Sequence, residues 1–308
     1  MSLALDIALC ALILGVALAA VAGRGVFRVM IFFITYGLFL AIGWARLGAY
    51  DVALAEAAIG AGLTGVLLLT AHGRLRRLKA IGPQNVRLNI PAVLAGAGVA
   101  LALGWAWFAL PVPTTPELAP LLPQTGMGNP VTAVLLNIRA WDTLLESIVL
   151  LAALLGVWML ARDEDWDAPL GLRHHAHAGG VLVSFGRLLP PIGLIFGVYL
   201  VWAGADATGG AFQGGTVLAA VGLVAMMAGV MPAPRVSQPG LRAALVVGPG
   251  MFLLAGLLAA ALGFGFLGLP PAVAKPATLV IEAALTVSIA VTLAVLVIGP
   301  PDDAEPVT

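Results

Sequence analysis

The sequence predicts an all-α, polytopic membrane protein with about nine transmembrane helices. Hydrophobic residues make up 61% of the chain and charged residues only 10%, which leaves too little polar surface for a soluble globular protein. The apolar residues also form continuous runs of about 20, the length that a helix needs to cross a bilayer. The alternation typical of a β-barrel is absent, so helices are the expected spanning structure.

Nine apolar runs follow one another along the chain. They occupy residues 3–22, 26–45, 52–71, 90–110, 142–161, 188–204, 211–230, 243–264 and 276–298. The first run ends in Ala20-Val21-Ala22, which resembles a signal-peptide cleavage site. No Lys or Arg precedes that run, although a signal peptide needs such a charge, so we interpret it as a span.

The distribution of basic residues predicts the orientation in the membrane. The connections after spans one, three, five and seven carry most of the 15 Lys and Arg residues, whereas the other connections hold only Arg46, Arg139 and Lys275. The positive-inside rule places the basic connections in the cytoplasm. We therefore expect the N-terminus outside and the C-terminus, with its acidic residues 302–305, in the cytoplasm.

Acidic residues within the apolar runs are the main indication of function. Glu56, Glu146 and Glu282 each cost at least ~2.5 kcal/mol in hydrocarbon, and such residues often mark an ion pathway. In the predicted orientation they lie a turn or two inside the external face, about 6–10 Å deep. Asp51 and Asp142 lie nearer that face, which predicts an acidic vestibule in the outer leaflet.

Simpler explanations remain open for these acids. Helix N-termini favour carboxylates, so Asp51, Asp142 and Asp206 are equally explained as helix caps. For the three deeper glutamates, the alternative to ion transport is a structural salt bridge or an interhelical hydrogen bond.

Spacing along the helices separates the candidates further. Arg139, Asp142 and Glu146 are three and four residues apart, so they share one helix face and can pair. Glu56 and Glu282 have no such partner in their own segments, which makes them the better candidates for proton exchange.

A glycine-rich segment precedes the seventh span. Its glycines are Gly209, Gly210, Gly214 and Gly215, and they predict close helix packing or a broken helix at membrane depth. The segment lacks the preceding strand and following Lys of a phosphate-binding loop.

The remaining composition predicts no resident metal, no other cofactor and no nucleic-acid partner. The net charge is zero and Cys10 is the single cysteine, so neither a polybasic arm nor an iron–sulfur ligand set is present in the sequence. His174, His175 and His177 lie beside several acids in the fifth connection. A metal site is one interpretation of that cluster, and a hydrated loop explains it as well.

Two motifs resemble known families of membrane subunits. Residues 51–64, DVALAEAAIGAGLT, are similar to the signature of the MbhD-type subunit of membrane-bound hydrogenases, which itself resembles part of the C-terminal extension of MrpA. Residues 129–146 resemble the MbhE-type segment through the pattern φRxxDTLxE.

The last block of the chain, with residues 209–215, is similar to the MrpB/MnhB family. At three places it departs from that family, which often has a His, a Pro and a further Gly where this chain has Ala205, Thr208 and Ala211. Together the resemblances imply an MbhD-like three-helix domain over 1–80, an MbhE-like two-helix domain over 81–170 and an MrpB/MnhB-like four-helix domain over 171–308.

The resemblance implies an accessory subunit of a multisubunit cation/proton antiporter in the bacterial inner membrane, with Na⁺ as the expected cation. Antiporter-like subunits would be its partners, and the chain would have no catalytic chemistry of its own. The family roles fall on Asp51 and Glu56 in the first motif and on Arg139, Asp142 and Glu146 in the second.

Glu282 is assigned from its position in the ninth span alone. Two other functions stay open: a membrane-arm subunit of a redox-driven proton or sodium pump, such as an energy-converting hydrogenase or a complex I-like enzyme, and a purely structural scaffold.

Overall fold

The structure, a computed structural model, describes residues 3–23, 25–77, 90–111, 120–171 and 180–301. Its regular elements in these ranges are helices, accompanied by two isolated β-bridges, so the predicted fold class is confirmed. Within the described ranges, eight helices are long and apolar enough to cross a membrane. One further apolar helix has 17 residues.

These helices are numbered α1 to α9 in chain order. They are α1 Leu3–Ala22, α2 Val26–Arg46, α3 Tyr50–Arg76, α4 Ile90–Ala109, α5 Ala140–Trp158, α6 Val181–Ala203, α7 Ala211–Met227, α8 Pro239–Ala261 and α9 Pro271–Ile298. The shorter elements are the turns Leu122–Thr125 and Pro130–Ala133, the π-helical turn Val134–Ile138 and the 3-10 turn Asp163–Asp165.

A π-helical segment interrupts α3. It runs over Glu56–Leu63, between α-helical residues on both sides. The hydroxyl of Thr64 donates a hydrogen bond of 2.9 Å to the carbonyl of Ile59, five residues earlier. Gly60 and Gly62 weaken the preference for a regular α-helix here, and a wide turn of this kind is frequent at functional sites.

The last helix begins earlier than the apolar run predicts. Two prolines explain the difference: Pro271 occupies the first turn, where a missing N–H costs little, and Pro276 lies inside the helix. Glu282 is therefore eleven residues from the start of α9, or about 16 Å along the helix at 1.5 Å per residue.

The centre of the bundle is α9. Of its most apolar 18-residue stretch, 72% is buried, whereas α1 and α4 contain no buried residue. Side chains of α9 pack with those of α5, α7 and α8 in one apolar cluster. Members of the cluster that are at most 2% exposed include Leu144, Leu154, Phe252, Ile281, Leu285 and Ile289. A polar group on the buried face of α9 is consequently surrounded by protein rather than lipid.

Two sets of connections close the ends of the bundle. At one end, the backbone N–H groups of Gly128 and Asn129 both donate to the carbonyl of Ala205, at 3.0 Å. At the other end, residues 169–170 form β-bridges with Arg235 and Pro301. The candidate site described below lies toward the first end, which the charge distribution predicts to be external.

Glycines that pack closely against α9 are expected to be sensitive to substitution. A Cβ at Gly248 would lie 2.8 Å from Ser288 Cβ and 3.0 Å from Leu285 Cα. We expect Gly248→Ala to lower the stability of the purified protein by about 1–3 kcal/mol through overpacking, measured by thermal unfolding in detergent.

Gly250 on the same helix supplies the control. Nothing lies within 4 Å of a Cβ at this position, so Gly250→Ala should leave stability unchanged or raise it by up to ~1 kcal/mol through helix propensity. Equal melting temperatures for the two variants would contradict this packing arrangement.

Candidate functional site

A cavity of about 370 Å³ lies where three distant parts of the chain meet. It is lined by the start of α3, by residues 131–146, and by the first residues of α7 beside α9. Asp51, Glu146 and Glu282 all contribute to the lining. The structure thus brings together three of the acidic residues that the sequence singled out.

Glu282 is the most enclosed of the three acids. Only 2% of the residue is exposed, and its Oε2 atom has no hydrogen-bond partner among the described residues. The backbone N–H of Ala211, the first residue of α7, donates to the carboxyl group. The unpaired N–H groups and the dipole at the start of α7 favour a negative charge at this place.

The glycine-rich segment makes this arrangement possible. Gly210, the residue before α7, has a φ of +127°, a backbone conformation that residues other than glycine rarely adopt. A Cβ at Gly214 would lie 2.8 Å from the carbonyl of Gly197 on α6, and one at Gly215 would lie 2.7 Å from the side chain of Ile289 on α9. Gly209 and Gly210 therefore form a wall of the cavity, while Gly214 and Gly215 let α7 pack tightly between α6 and α9.

Asp51 connects the three parts of the chain around the cavity. Its Oδ1 accepts hydrogen bonds from the backbone N–H of Gly209, at 3.1 Å, and from Asn129 Nδ2, at 3.3 Å. Gln213 Nε2 donates to the backbone carbonyl of Asp51, at 3.3 Å. Ala49, rather than Asp51, is the N-cap residue of α3, and Asp51 lies in the first turn of that helix.

Arg139 and Asp142 form an ion pair in which Glu146 does not take part. Arg139 Nη2 lies 2.6 Å from Asp142 Oδ2, and the side chains are 68% and 42% exposed. Arg139 is the N-cap of α5 and follows the π-helical turn, so the pair marks a break between two helical segments. Glu146, in the second turn of α5, is exposed on the surface of this chain and has no hydrogen bond or ion pair among the described residues.

Glu56 does not line the cavity. It is half-buried at the start of the π-helical segment, and its carboxyl group contacts Gly60 of the same segment. A Cβ at Gly37 of α2 would lie 3.2 Å from Glu56 Oε1. The structure therefore separates Glu56, against α2, from the three acids at the cavity.

Asp206, in the connection between α6 and α7, forms an ion pair with Lys275 near the start of α9. Lys275 Nζ lies 2.7 and 2.8 Å from its two carboxyl oxygens, and the backbone N–H of Gly128 also donates to it. The hydrogen bond from Lys275 holds the pKa of Asp206 below its ordinary value, so the pair persists at neutral pH and is lost only as the pH falls through that lowered pKa. Asp206 is thus explained by a partner rather than as a helix cap.

Two polar residues of this region are not indicated as site residues by the sequence. Asn129 and Gln213 both lie within the family-like motifs, but an isolated amide carries no recognisable spacing pattern. Asn129 also donates to the carbonyl of Ala207, at 2.9 Å, and Thr132 donates to the carbonyl of Gly204, at 2.6 Å. The histidine cluster of residues 174–177 lies outside the described residues.

Comparison with protein families assigns both ends of the chain. Residues 11–77 match the MbhD family of MBH subunits, and residues 181–299 match a domain related to the MnhB subunit of the Na⁺/H⁺ antiporter. The chain joins an MbhD segment to an MnhB-related domain. Both resemblances are confirmed, and the MbhE resemblance of the residues between them stays a prediction.

The MbhD–MnhB chain also shares its fold with two solved structures. A chain in the structure of the Mrp complex from Dietzia sp. DQ12-45-1b aligns with a TM-score of 0.71 and 22% identity, over 97% of this chain and 35% of that one. A chain in the structure of the membrane-bound sulfane sulfur reductase (MBS), an archaeal respiratory membrane complex, aligns with a TM-score of 0.52 and 22% identity, over 68% of this chain and 95% of that one. No curated protein matches the sequence.

Removal of the Asp51 carboxylate should destabilise the MbhD–MnhB chain. Asp51→Ala leaves the N–H of Gly209 without its acceptor and removes one of the acceptors of Asn129. We expect a loss of about 1–3 kcal/mol, measured as a lower melting temperature of the purified protein. Asp163→Ala, at an exposed position in the 3-10 turn, is the control and should change stability by no more than ~0.5 kcal/mol. If Asp51→Ala unfolds at the wild-type temperature, Asp51 does not hold the three parts together.

Proposed function

We propose that the chain is an accessory ion-translocating subunit of a multisubunit Na⁺/proton antiporter in the bacterial cytoplasmic membrane. The observation that carries the proposal is the meeting of Asp51, Glu146 and Glu282 at one cavity. This cavity lies between the MbhD segment and the MnhB-related domain, so its acids depend on both parts being joined.

The environment of Glu282 supports an exchange of protons for cations. A buried carboxylate is costly unless it is protonated or paired with a cation. The unpartnered Oε2 atom of Glu282 is available for either species. Alternate occupation of one carboxyl group by H⁺ and by Na⁺ is a direct physical basis for coupling the two ions.

The position of Glu146 supports membership of a larger complex. Its side chain is exposed on an apolar helix of this chain. Carboxylates within membranes almost always face a bundle interior or a water-filled cavity rather than lipid. A neighbouring antiporter-like subunit that covers α5 would meet this requirement and would continue the ion pathway beyond this chain.

The acids of the cavity lie toward one end of the bundle. We propose that they form an outward-facing half-path, in accordance with the orientation predicted from the basic residues. Carboxylates and an amide are suited to exchanging and coordinating ions, so we also propose that the chain acts without catalytic chemistry of its own.

The likeness to the sulfane sulfur reductase favours a second candidate, a membrane-arm subunit of a redox-driven pump. The two proposals differ in what drives transport. In everted vesicles that contain the assembled complex, an antiporter dissipates an imposed pH gradient when Na⁺ is added. A redox-driven pump needs an electron donor instead. Na⁺-dependent exchange without any donor would exclude the second candidate.

Neutral substitution of the cavity glutamates is expected to abolish exchange. Glu282→Gln and Glu146→Gln each keep the shape of the side chain but remove the exchangeable charge. We expect Na⁺-dependent dissipation of the pH gradient to fall at least about tenfold, because a neutral amide neither exchanges a proton nor compensates the charge of a cation.

Assembly and a matched variant control this experiment. Glu164→Gln changes an exposed glutamate in the connection after α5 and should leave exchange at the wild-type rate. The amount of assembled complex is measured by native electrophoresis for each variant. Full exchange by both cavity variants, with normal assembly, would leave the scaffold function as the better explanation.

A further inference from the structure

We propose that Gln213 and Glu282 together bind a partly dehydrated monovalent cation at the start of α7, and that Gln213 determines its affinity. The inference rests on the proposed function and deepens it, because it assigns the place in the cavity where the transported cation is held. Three features define this site: the orientation of one amide, the space left by one glycine and the charge balance at one carboxylate.

The backbone fixes the orientation of the Gln213 side chain. Its amide group lies 3.3 Å from the backbone carbonyl of Asp51. A carbonyl oxygen only accepts hydrogen bonds, so the amide nitrogen must face it. The amide oxygen, Oε1, is therefore directed away from Asp51 and is free to coordinate a cation.

The two oxygen ligands converge beside Gly210. A Cβ at this glycine would lie 3.2 Å from Gln213 Oε1 and 3.4 Å from Glu282 Oε1. Because Gly210 has no side chain, the space between the two oxygens stays open toward the cavity. A neutral amide oxygen and a carboxylate oxygen are typical ligands of hard cations.

The charge balance favours a monovalent ion. Glu282 is buried, its Oε2 has no hydrogen-bond partner among the described residues, and it lines the same cavity. The start of α7 contributes a partial positive charge of roughly half an elementary charge. The Asp51 carboxylate already accepts hydrogen bonds from Gly209 and Asn129. The amide oxygen of Gln213 is neutral, so the Gln213–Glu282 pair carries a single negative charge, which one monovalent cation compensates.

A purely structural role for this pair gives a different expectation. If Glu282 only accepts the hydrogen bond from the start of α7, Gln213 would matter for stability but not for the affinity of any ion. The experiment therefore measures an ion-dependent quantity in two ways, by transport and by binding.

In transport, the half-saturating Na⁺ concentration is measured in everted vesicles that contain the complete complex. Gln213→Leu removes the neutral oxygen ligand and is expected to raise this concentration about tenfold or more, in line with the worth of one interaction with a charged group. Gln213→Asn keeps the amide but withdraws its oxygen by one methylene, and should shift the value in the same direction. Gln238→Leu, before α8 and outside this cavity, is the control and should not shift it.

In binding, the melting temperature of the purified complex is compared in NaCl, KCl and choline chloride at equal ionic strength. Na⁺ should stabilise the wild type relative to choline, since a ligand that binds only the folded state raises its stability. This Na⁺-dependent rise in melting temperature should be smaller in both Gln213 variants. If Gln213→Leu does not assemble, the melting temperature of Gln213→Asn tests the site on its own.

The two readouts separate the two proposals. Loss of Na⁺-dependent stabilisation on substitution of Gln213 supports the site even if the complex exchanges no Na⁺, an outcome that would refute the proposed antiport alone. Antiport with an unchanged half-saturating concentration and unchanged Na⁺-dependent stabilisation in the Gln213 variants would overturn the site and leave the proposed function standing.

Discussion

The arrangement of the bundle depends on the burial of one carboxylate at the centre. Glu282 lies on the most buried helix, α9, and receives the N–H of the first residue of α7. This contact requires α7 to begin at membrane depth, directly against α9. The glycines immediately before α7 and in its first turn permit that approach. The position of the Glu282 carboxylate on α9 and the backbone path into α7 therefore depend on each other.

The hydrogen bonds of Asp51 extend the same constraint to the N-terminal part of the chain. The side chain of Asp51 contacts both the glycine-rich segment and Asn129. The cavity consequently has walls from three parts of the chain, and none of these parts can form it alone. Formation of the cavity therefore depends on contact between the segment that matches MbhD and the domain that matches MnhB.

The fold class and most spans could be predicted from the sequence, because membrane crossing depends on local length and hydropathy. The cavity could not, because the meeting of Asp51, Glu146 and Glu282 is a matter of tertiary packing. Three local features were also hidden. The first turn of α9 contains Pro271 and is followed by Pro276, so it does not stand out as part of the apolar run. The place of Glu56 against α2 depends on tertiary packing. Gln213 belongs to no motif of its own. The pairing of Arg139 with Asp142 was accessible, since helical spacing alone predicts it.

The wide turn in α3 has a geometric consequence for the opposite end of the bundle. A π-helical turn accommodates about one more residue than an α-helical turn, and one residue rotates the helix by about 100°. Every side chain after Leu63 is thus rotated relative to a regular helix with the same start. Arg74, near the end of α3, hydrogen-bonds the carbonyl of Ile298 at the end of α9, at 3.1 Å. The contact between these two helix ends depends on how far the π-helical turn near Glu56 rotates the rest of α3. Lengthening or shortening that turn would therefore displace Arg74 from Ile298 at the opposite end of the bundle.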